Sequence, residues 1–191
     1  MRIGVDIDGV ILNFERDLKA RAELFNFIEL KRCDETKRDE HFIQLRHNWT
    51  DEEKALFVEK YFVSLSKNTP FMPGAVEVLK MLKNEGHKLI IISARGGIVK
   101  EMKTVALERF DEVGLVFDDY FWGQSDKLQT IKNEKIDVMI DDNVEHCKTV
   151  SDAKIKTIYF RDVDGAKLQE SEFLFDATNW GEIYKIIKTK I

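Results

Sequence analysis

Two acidic residues close the first apolar segment of the chain, where Ile3-Gly4-Val5 runs into Asp6-Ile7-Asp8-Gly9-Val10. Because side chains alternate between faces along an extended segment, Asp6 and Asp8 can project to the same side, about 7 Å apart. Two neighbouring carboxylates favour either protonation of one of them or a bound cation, and hard oxygen ligands suit Mg²⁺. A surface turn that merely ends a strand is the alternative, because Asp and Gly are ordinary turn residues.

A second acidic pair, Asp141 and Asp142, follows the apolar run Val138-Met139-Ile140 and precedes a predicted helix start at Asn143. Asp142 or Asn143 could simply cap that helix. Capping explains one acid well and the adjacent pair less well, so the pair is a second candidate for metal chemistry.

Two further polar groups follow the same pattern. Ser93 comes directly after the apolar run Ile90-Ile91-Ile92, and its hydroxyl, with the amides of the turn Ala94-Arg95-Gly96-Gly97, could hold phosphate oxygens. Lys127 opens a later helix. Taken singly, a serine more often caps a helix or forms a turn, and a lysine is usually solvated.

The elements that must position these groups alternate between apolar strands and amphipathic helices. This pattern predicts an α/β fold, a Rossmann-like parallel sheet covered by helices on both faces. In such a sheet the carboxyl ends of the strands meet at one crevice, where we expect the acids, the serine and the lysine to converge. The predicted strands are Arg2-Val5, Lys88-Ile92, Val116-Phe121, Val138-Ile140 and Lys156-Phe160.

Three helices of the same alternating region are predicted from apolar spacing and end signals. The first follows Pro73 and stops at Gly86, the second includes Ile98 and Ala106, and the last includes Ile183 and Ile187. Residues 161–179 carry no clear pattern beyond a turn at Asp164-Gly165, and the remainder is either a loop or a short edge strand.

Residues 14–72 interrupt the alternation with two helical patterns and no convincing strand. We therefore predict a core domain of residues 1–13 and 73–191, with a small helical cap, residues 14–72, inserted after the first strand. Phe14, Leu18, Phe25 and Ile28 form the apolar stripe of the first helix. The second helix, residues 51–65, begins with a capping box between Thr50 and Glu53.

Arg46, His47 and Trp49 form a basic and aromatic cluster within the insertion. It could stack on and pair with a nucleotide, but an ordinary helix end with a core tryptophan is the favoured interpretation. His47 could equally be a structural histidine, as could His41, His87 and His146.

Composition excludes several other functions. The 191 residues carry 30 basic and 35 acidic side chains, a formal net charge of −5, which argues against binding to nucleic-acid polymers or to anionic membranes. Cys33 and Cys147 are too few and too far apart for a disulfide framework or a zinc site. No leader sequence or run of membrane-spanning length is evident, so we expect a cytoplasmic protein.

Jointly, these residues resemble the haloacid dehalogenase-like phosphohydrolase superfamily. Its four motifs occur here in order as Asp6-x-Asp8, Ser93, Lys127 and Asp141-Asp142, and the helical insertion is similar to its first-type cap. The sequence from Val5 to Glu15 is more narrowly similar to the 5′(3′)-deoxyribonucleotidase-like branch.

The resemblance implies a Mg²⁺-dependent phosphomonoester hydrolase, in which Asp6 forms an aspartyl-phosphate and Asp8 serves as general acid and then as general base. Mg²⁺ would be bound by Asp6, the backbone carbonyl of Asp8 and an acid of the last motif, with the roles of Asp141 and Asp142 left open. The implied phosphate-binding residues are Ser93, Ala94, Arg95 and Lys127. Arg95 departs from the common motif, and contacting phosphate or pairing with a surface acid are equally good interpretations.

The substrate implied is a small phosphorylated metabolite, and the narrower branch predicts a 5′-nucleotidase acting on (deoxy)nucleoside monophosphates. The alternative within the same chemistry is a phosphatase of sugars or other small metabolites, or a phosphomutase. A non-catalytic phosphate binder or a phospho-accepting signalling domain is a third possibility. A receiver domain would carry its phosphoryl group after a later strand, whereas the candidate nucleophile here follows the first. The oligomeric state stays open.

Overall fold

The strands form a parallel sheet of six, in a computed structural model that describes residues 1–38, 40, 42–161 and 165–191. The strand order within these residues is β3-β2-β1-β4-β5-β6, and every neighbouring pair is parallel. The strands are β1 (Arg2–Val5), β2 (Lys88–Ile92), β3 (Asp119–Phe121), β4 (Val138–Asp141), β5 (Lys156–Phe160) and β6 (Leu174–Ala177).

Eight α-helices accompany these strands within the described ranges. They are α1 (Phe14–Leu24), α2 (Ile43–Arg46), α3 (Asp51–Asn68), α4 (Ala75–Asn84), α5 (Glu101–Glu112), α6 (Leu128–Asn133), α7 (Val144–Asp152) and α8 (Trp180–Thr189).

Helices cover the sheet on both faces, which confirms the predicted α/β class. Leu89 and Ile91 of β2 belong to a core cluster that includes residues of α4, α5 and α8. Ile90 and Ile92 of the same strand belong to a second cluster, with Ile131 of α6 and Val150 of α7. Alternate side chains of one strand therefore pack against different helical layers, as burial of both faces of a parallel sheet requires.

The chain divides into two compact units, one of residues 1–13 and 70–191 and the other of Phe14–Thr69. The second unit thus ends three residues before the boundary expected at residue 72. Backbone hydrogen bonds explain the difference, because Asn13 N donates to Pro70 O at 2.9 Å and Met72 N donates to Ile11 O at 2.8 Å. These bonds attach residues 70–72 to the sheet-containing unit.

The second unit consists of α1, a π-helical segment (Phe25–Glu29), α2 and α3. The predicted capping box is present at the start of α3, where Thr50 and Glu53 each accept from the other's backbone N–H. The apolar stripe expected to reach Ile28 stops earlier, since Phe25 is buried but Ile28 is half exposed. The π-helical turn after Leu24 changes which side chains face inward.

Three other sequence predictions need correction or completion. Strand β3 begins at Asp119 and not at Val116, whose side chain is 65% exposed. Ile98 precedes α5 and is exposed, so it is not part of the helix. The unassigned region contains the short edge strand β6, which pairs with β5. Asp164 of the predicted turn and His41 lie outside the described residues.

Among the described residues, none of the helices combines the length and apolarity needed to cross a membrane.

Candidate active site

The carboxyl ends of three adjacent strands carry the predicted site residues. Strand β1 lies between β2 and β4, with Val5 paired to Ile91 on one side and to Ile140 on the other. Asp6 follows β1, and its N–H donates to Ile140 O at 3.0 Å, which continues the pairing with β4. Ser93 follows β2 and Asp141 ends β4. The sheet order therefore brings together residues that are far apart in the chain, at the position where open α/β sheets bind ligands.

Lys127 joins two of the acids. It lies immediately before α6 and is 2% exposed. Its Nζ donates to Asp141 Oδ2 at 2.6 Å and lies 3.1 Å from Asp6 Oδ1. Burial lowers the pKa of Lys127, but the charges of Asp141 and Asp6 outweigh burial and raise it overall. The lysine is therefore a fixed positive charge between two carboxylates.

The two buried carboxylates respond differently to this charge. Burial raises the pKa of Asp6 to about 6, opposed by Lys127 and reinforced by Asp141 and Asp8. Burial also raises the pKa of Asp141, but Lys127 and His146 outweigh it and hold this pKa at about 2. Asp141 is therefore the better compensated of the two acids.

The acidic cluster fits a divalent cation. Asp6, Asp141 and Asp142 each offer a carboxylate oxygen, and the three oxygens lie within 4.8 Å of one another. Although Lys127 is close, Asp6 Oδ1 is buried without an aligned hydrogen bond among the described residues. A buried oxygen of this kind is costly unless a further ligand compensates it, and carboxylate oxygens suit Mg²⁺.

Gly9 makes the position of Asp142 possible. A Cβ on Gly9 would lie 1.9 Å from Asp142 Oδ2, and its φ of +73° is in the left-handed region. Both constraints require glycine. The Asp-Gly pair that could have been an ordinary turn therefore also lets the second acidic pair approach the first.

The turn that follows β2 is fixed to the loop that follows β3. Ser93 N donates to Phe121 O at 3.0 Å, Gln124 N to Ser93 O at 2.9 Å, and Gly123 N to Arg95 O at 2.8 Å. Ser93 is buried and its Oγ accepts from Arg95 N at 3.3 Å, whereas Ala94 is exposed. These bonds anchor the backbone on both sides of Ser93.

Arg95 pairs with Asp8, the second acid of the first motif. Its Nε donates to both carboxylate oxygens of Asp8, at 3.0 and 2.8 Å, and Nη2 donates to Oδ1 at 2.6 Å. The Arg95 side chain is 1% exposed and that of Asp8 is 23% exposed. The partner is thus a candidate catalytic acid and not the surface acid that the sequence left open as an alternative.

Sequence reasoning missed His146 of α7 as a neighbour of the site. Its Nδ1 lies 3.5 Å from Asp141 Oδ2, and its Nε2 lies 3.2 Å from Ser125 O. The nearby carboxylate of Asp141 raises the pKa of His146, against the opposing effect of burial. The sequence feature that could have indicated His146 is its position four residues, about one helical turn, after Asp142. Asn143 caps this helix, accepting from Glu145 N and His146 N.

The cluster of Arg46, His47 and Trp49 belongs to the interior of the second unit. His47 and Trp49 are both buried and stacked, with ring centroids 5.1 Å apart. Trp49 Nε1 donates to the buried Asn26 Oδ1 at 3.1 Å. Arg46 Nη1 donates to the backbone oxygens of Arg38 and Glu40. These contacts are those of a core tryptophan and a helix end.

Comparison with known proteins extends this description. No family model matches the sequence. The chain is 26% identical over 167 residues to a protein of Oceanobacillus iheyensis named provisionally as a nucleotidase, and the match covers 82% of each chain.

Solved structures with the same architecture have lower sequence identity. A haloacid dehalogenase-like hydrolase from Streptococcus pneumoniae is 12% identical, with a TM-score of 0.65 and 97% of each chain covered. CbbY from Rhodobacter sphaeroides, solved in complex with xylulose-1,5-bisphosphate, is 15% identical, with a TM-score of 0.67 and 95% of each chain covered. At these identities the likeness concerns the fold. The protein has the fold of the haloacid dehalogenase-like hydrolases.

Proposed function

We propose that this protein is a Mg²⁺-dependent phosphomonoester hydrolase that uses Asp6 as its nucleophile. The observation that carries the proposal is the arrangement around Asp6, a buried carboxylate 3.1 Å from the fixed charge of Lys127 and within an acidic cluster suited to a divalent cation. A structural ion pair would require one acid for the lysine, whereas this site supplies Asp6 and Asp141 together.

The reaction splits one displacement into two. A carboxylate oxygen of Asp6 attacks phosphorus, the bond from phosphorus to the leaving oxygen breaks, and Asp8 gives that oxygen a proton. Water then attacks the phosphorus of the aspartyl-phosphate, Asp8 takes a proton from it, and Asp6 is released with inorganic phosphate. Lys127 neutralises charge on Asp6 and on the transferring group, while Ser93 Oγ and the amides of its turn hold phosphoryl oxygens.

We assign the metal to Asp6, Asp142 and the backbone carbonyl of Asp8. We assign Asp141 the role of orienting Lys127, since its Oδ2 accepts from Lys127 Nζ and its Oδ1 accepts from Asn143 N at 2.9 Å. When bound, Mg²⁺ would offset the negative charge of the acids and of a phosphate ester. The charge balance of the site supports a divalent ion. Its two permanent cations, Lys127 and Arg95, are outnumbered by four carboxylates, those of Asp6, Asp8, Asp141 and Asp142.

We propose that the protein acts as a 5′-nucleotidase and that its substrate is a nucleoside or deoxynucleoside monophosphate. The support is the likeness to the provisional nucleotidase of Oceanobacillus iheyensis. The second candidate is a sugar phosphate, supported by the xylulose-1,5-bisphosphate bound to the similarly folded CbbY.

The test is phosphate release from nucleoside monophosphates, sugar phosphates and an aryl phosphate, each with Mg²⁺ and with a chelator. The wild type is compared with Asp6→Asn and with Asp152→Asn, a control that removes an exposed carboxylate at the end of α7. We expect Mg²⁺-dependent release that is abolished in Asp6→Asn and retained in the control. Turnover by Asp6→Asn within a few-fold of wild type would exclude Asp6 as nucleophile, and the preferred ester decides between the two substrate classes.

A further inference from the structure

The Asp8 carboxylate is held by three hydrogen bonds from one buried side chain. Nε and Nη2 of Arg95 form a fork around it at 2.6 to 3.0 Å. A guanidinium presents its donors in a rigid plane that matches a carboxylate, so this pair restricts the rotation of the acid as well as neutralising it. An aspartate with no such partner samples several rotamers.

Arg95 itself has little freedom to move. Its N–H donates to Ser93 Oγ, and its carbonyl oxygen accepts from Gly123 N, so the backbone is tied at both ends of the residue. The adjoining loops also approach closely, since a Cβ on Gly97 would lie 3.5 Å from the Cα of Gly123. The guanidinium therefore extends from an anchored turn, which makes it a fixed reference for Asp8.

We infer that Arg95 is a positioning residue that sets the orientation of Asp8 for proton transfer to the leaving oxygen, an inference that rests on the proposed function. Arg95 directs this carboxylate while Asp8 remains 23% exposed, so the acid stays accessible to a substrate oxygen. Misplacing a reacting group by about 1 Å can cost about 100-fold in rate. Loss of these hydrogen bonds should therefore slow the reaction most where the leaving oxygen depends on a proton from Asp8.

The dependence on the leaving group separates this role from a phosphate contact. A leaving oxygen that is a weak acid needs the proton of Asp8 as its bond to phosphorus breaks, whereas a strongly acidic phenol departs with little help. An arginine that holds the phosphoryl group instead would assist all esters alike. The two roles predict different patterns of kcat/KM across esters of the same size.

The experiment measures kcat/KM for a series of substituted phenyl phosphates, from phenyl phosphate to 4-nitrophenyl phosphate, with Mg²⁺ at saturation. In Arg95→Met we expect kcat/KM to fall about 100-fold for phenyl phosphate and less than about tenfold for 4-nitrophenyl phosphate. Asp8→Asn should give the same selective loss, and adding Arg95→Met to it should cause no further selective loss. Arg95→Lys keeps the positive charge but not the fork of hydrogen bonds. Its loss of kcat/KM should therefore also be larger for phenyl phosphate than for 4-nitrophenyl phosphate.

Arg161→Met is the matched control, because Arg161 pairs with Asp176 at 3.0 Å elsewhere in the same unit. It removes a comparable ion pair and should leave the leaving-group dependence unchanged. If Arg95→Met does not fold, Arg95→Lys decides the question. Equal losses across the series would overturn the positioning role. A wild type with no Asp6-dependent release would instead overturn the proposed function, and the role of Arg95 with it.

Discussion

The two acids at the end of β4, Asp141 and Asp142, make different contacts. Both oxygens of Asp141 accept hydrogen bonds, from Lys127 Nζ and from Asn143 N. Asp142 is directed toward the first motif, where its Oδ2 occupies the space that a side chain on Gly9 would need. The adjacent acids thus have different surroundings, which is why we assign them different roles.

The first prediction concerns this pair. Asp142→Asn should weaken Mg²⁺ binding by more than about tenfold, because it removes a charged ligand. Asp141→Asn should weaken it less but destabilise the fold by about 3 kcal/mol, because Lys127 loses its closest partner in a buried position. Calorimetric titration with Mg²⁺ and urea unfolding of both variants measure the two effects. Equal Mg²⁺ affinities in Asp142→Asn and wild type would refute the assignment.

At the scale of elements, helix starts are determined by neighbouring residues. Thr50 and Glu53 satisfy each other's backbone N–H groups at the start of α3, three residues apart. Asn143 and Asn179 similarly cap α7 and α8. Such bonds depend on local backbone geometry alone, so the capping box of α3 could be predicted from sequence.

The second prediction tests the contribution of that cap. Thr50→Ala should lower the free energy of unfolding by about 1 kcal/mol, since Glu53 N loses its acceptor. Thr50→Ser retains the hydroxyl and should cost much less. Urea unfolding followed by circular dichroism gives both values, and an alanine variant as stable as the serine variant would show that the cap contributes little.

At the scale of the whole molecule, burial of titratable groups makes stability depend on pH. His47 is 3% exposed, and neither ring nitrogen has a hydrogen-bond partner among the described residues. Burial lowers the pKa of His47 below its ordinary value of 6.5, opposed by Glu23 and reinforced by Arg46. The unfolded chain therefore takes up the proton more readily than the folded one.

The third prediction follows from the sign of this shift. The contribution of neutral His47 is fully present above about pH 6.5 and is lost as the pH falls below that value toward the folded pKa. His47→Phe should therefore lose less stability than wild type between about pH 7 and pH 5. His87, whose pKa burial also lowers, remains in both proteins. Parallel pH dependences in urea unfolding would contradict the prediction.

The fourth prediction concerns the two compact units. We propose that residues 14–69 act as a cap that limits substrate choice. The chain leaves the first unit and re-enters it at adjacent points, since Asn13 N donates to Pro70 O. Replacing residues 14–69 by a short glycine linker should leave the sheet unit folded and broaden its substrate range. Circular dichroism and the phosphate-release panel measure these outcomes. An unchanged substrate profile would refute the cap.

Much of the fold could be predicted because parallel strands that are buried on both faces form continuous apolar runs. β1, β2 and β5 have their predicted bounds. β6 could not be identified in the same way, because Leu174–Ala177 is short and includes Asp176, whose charge is compensated by Arg161 from another strand end. Ile98 was misassigned because apolar spacing alone does not show where a helix begins.

The sequence by itself determined which strand ends carry polar side chains, since apolar runs and the polar residues that follow them are properties of neighbouring positions. Only the tertiary structure decided how those residues pair. Arg95 and Asp8 are 87 positions apart, and their contact depends on β1 and β2 lying side by side. The same is true of Asp141, which meets Lys127 because α6 leads into the strand next to β1. Ion pairs of this kind are set by sheet order and burial, which local sequence patterns do not specify.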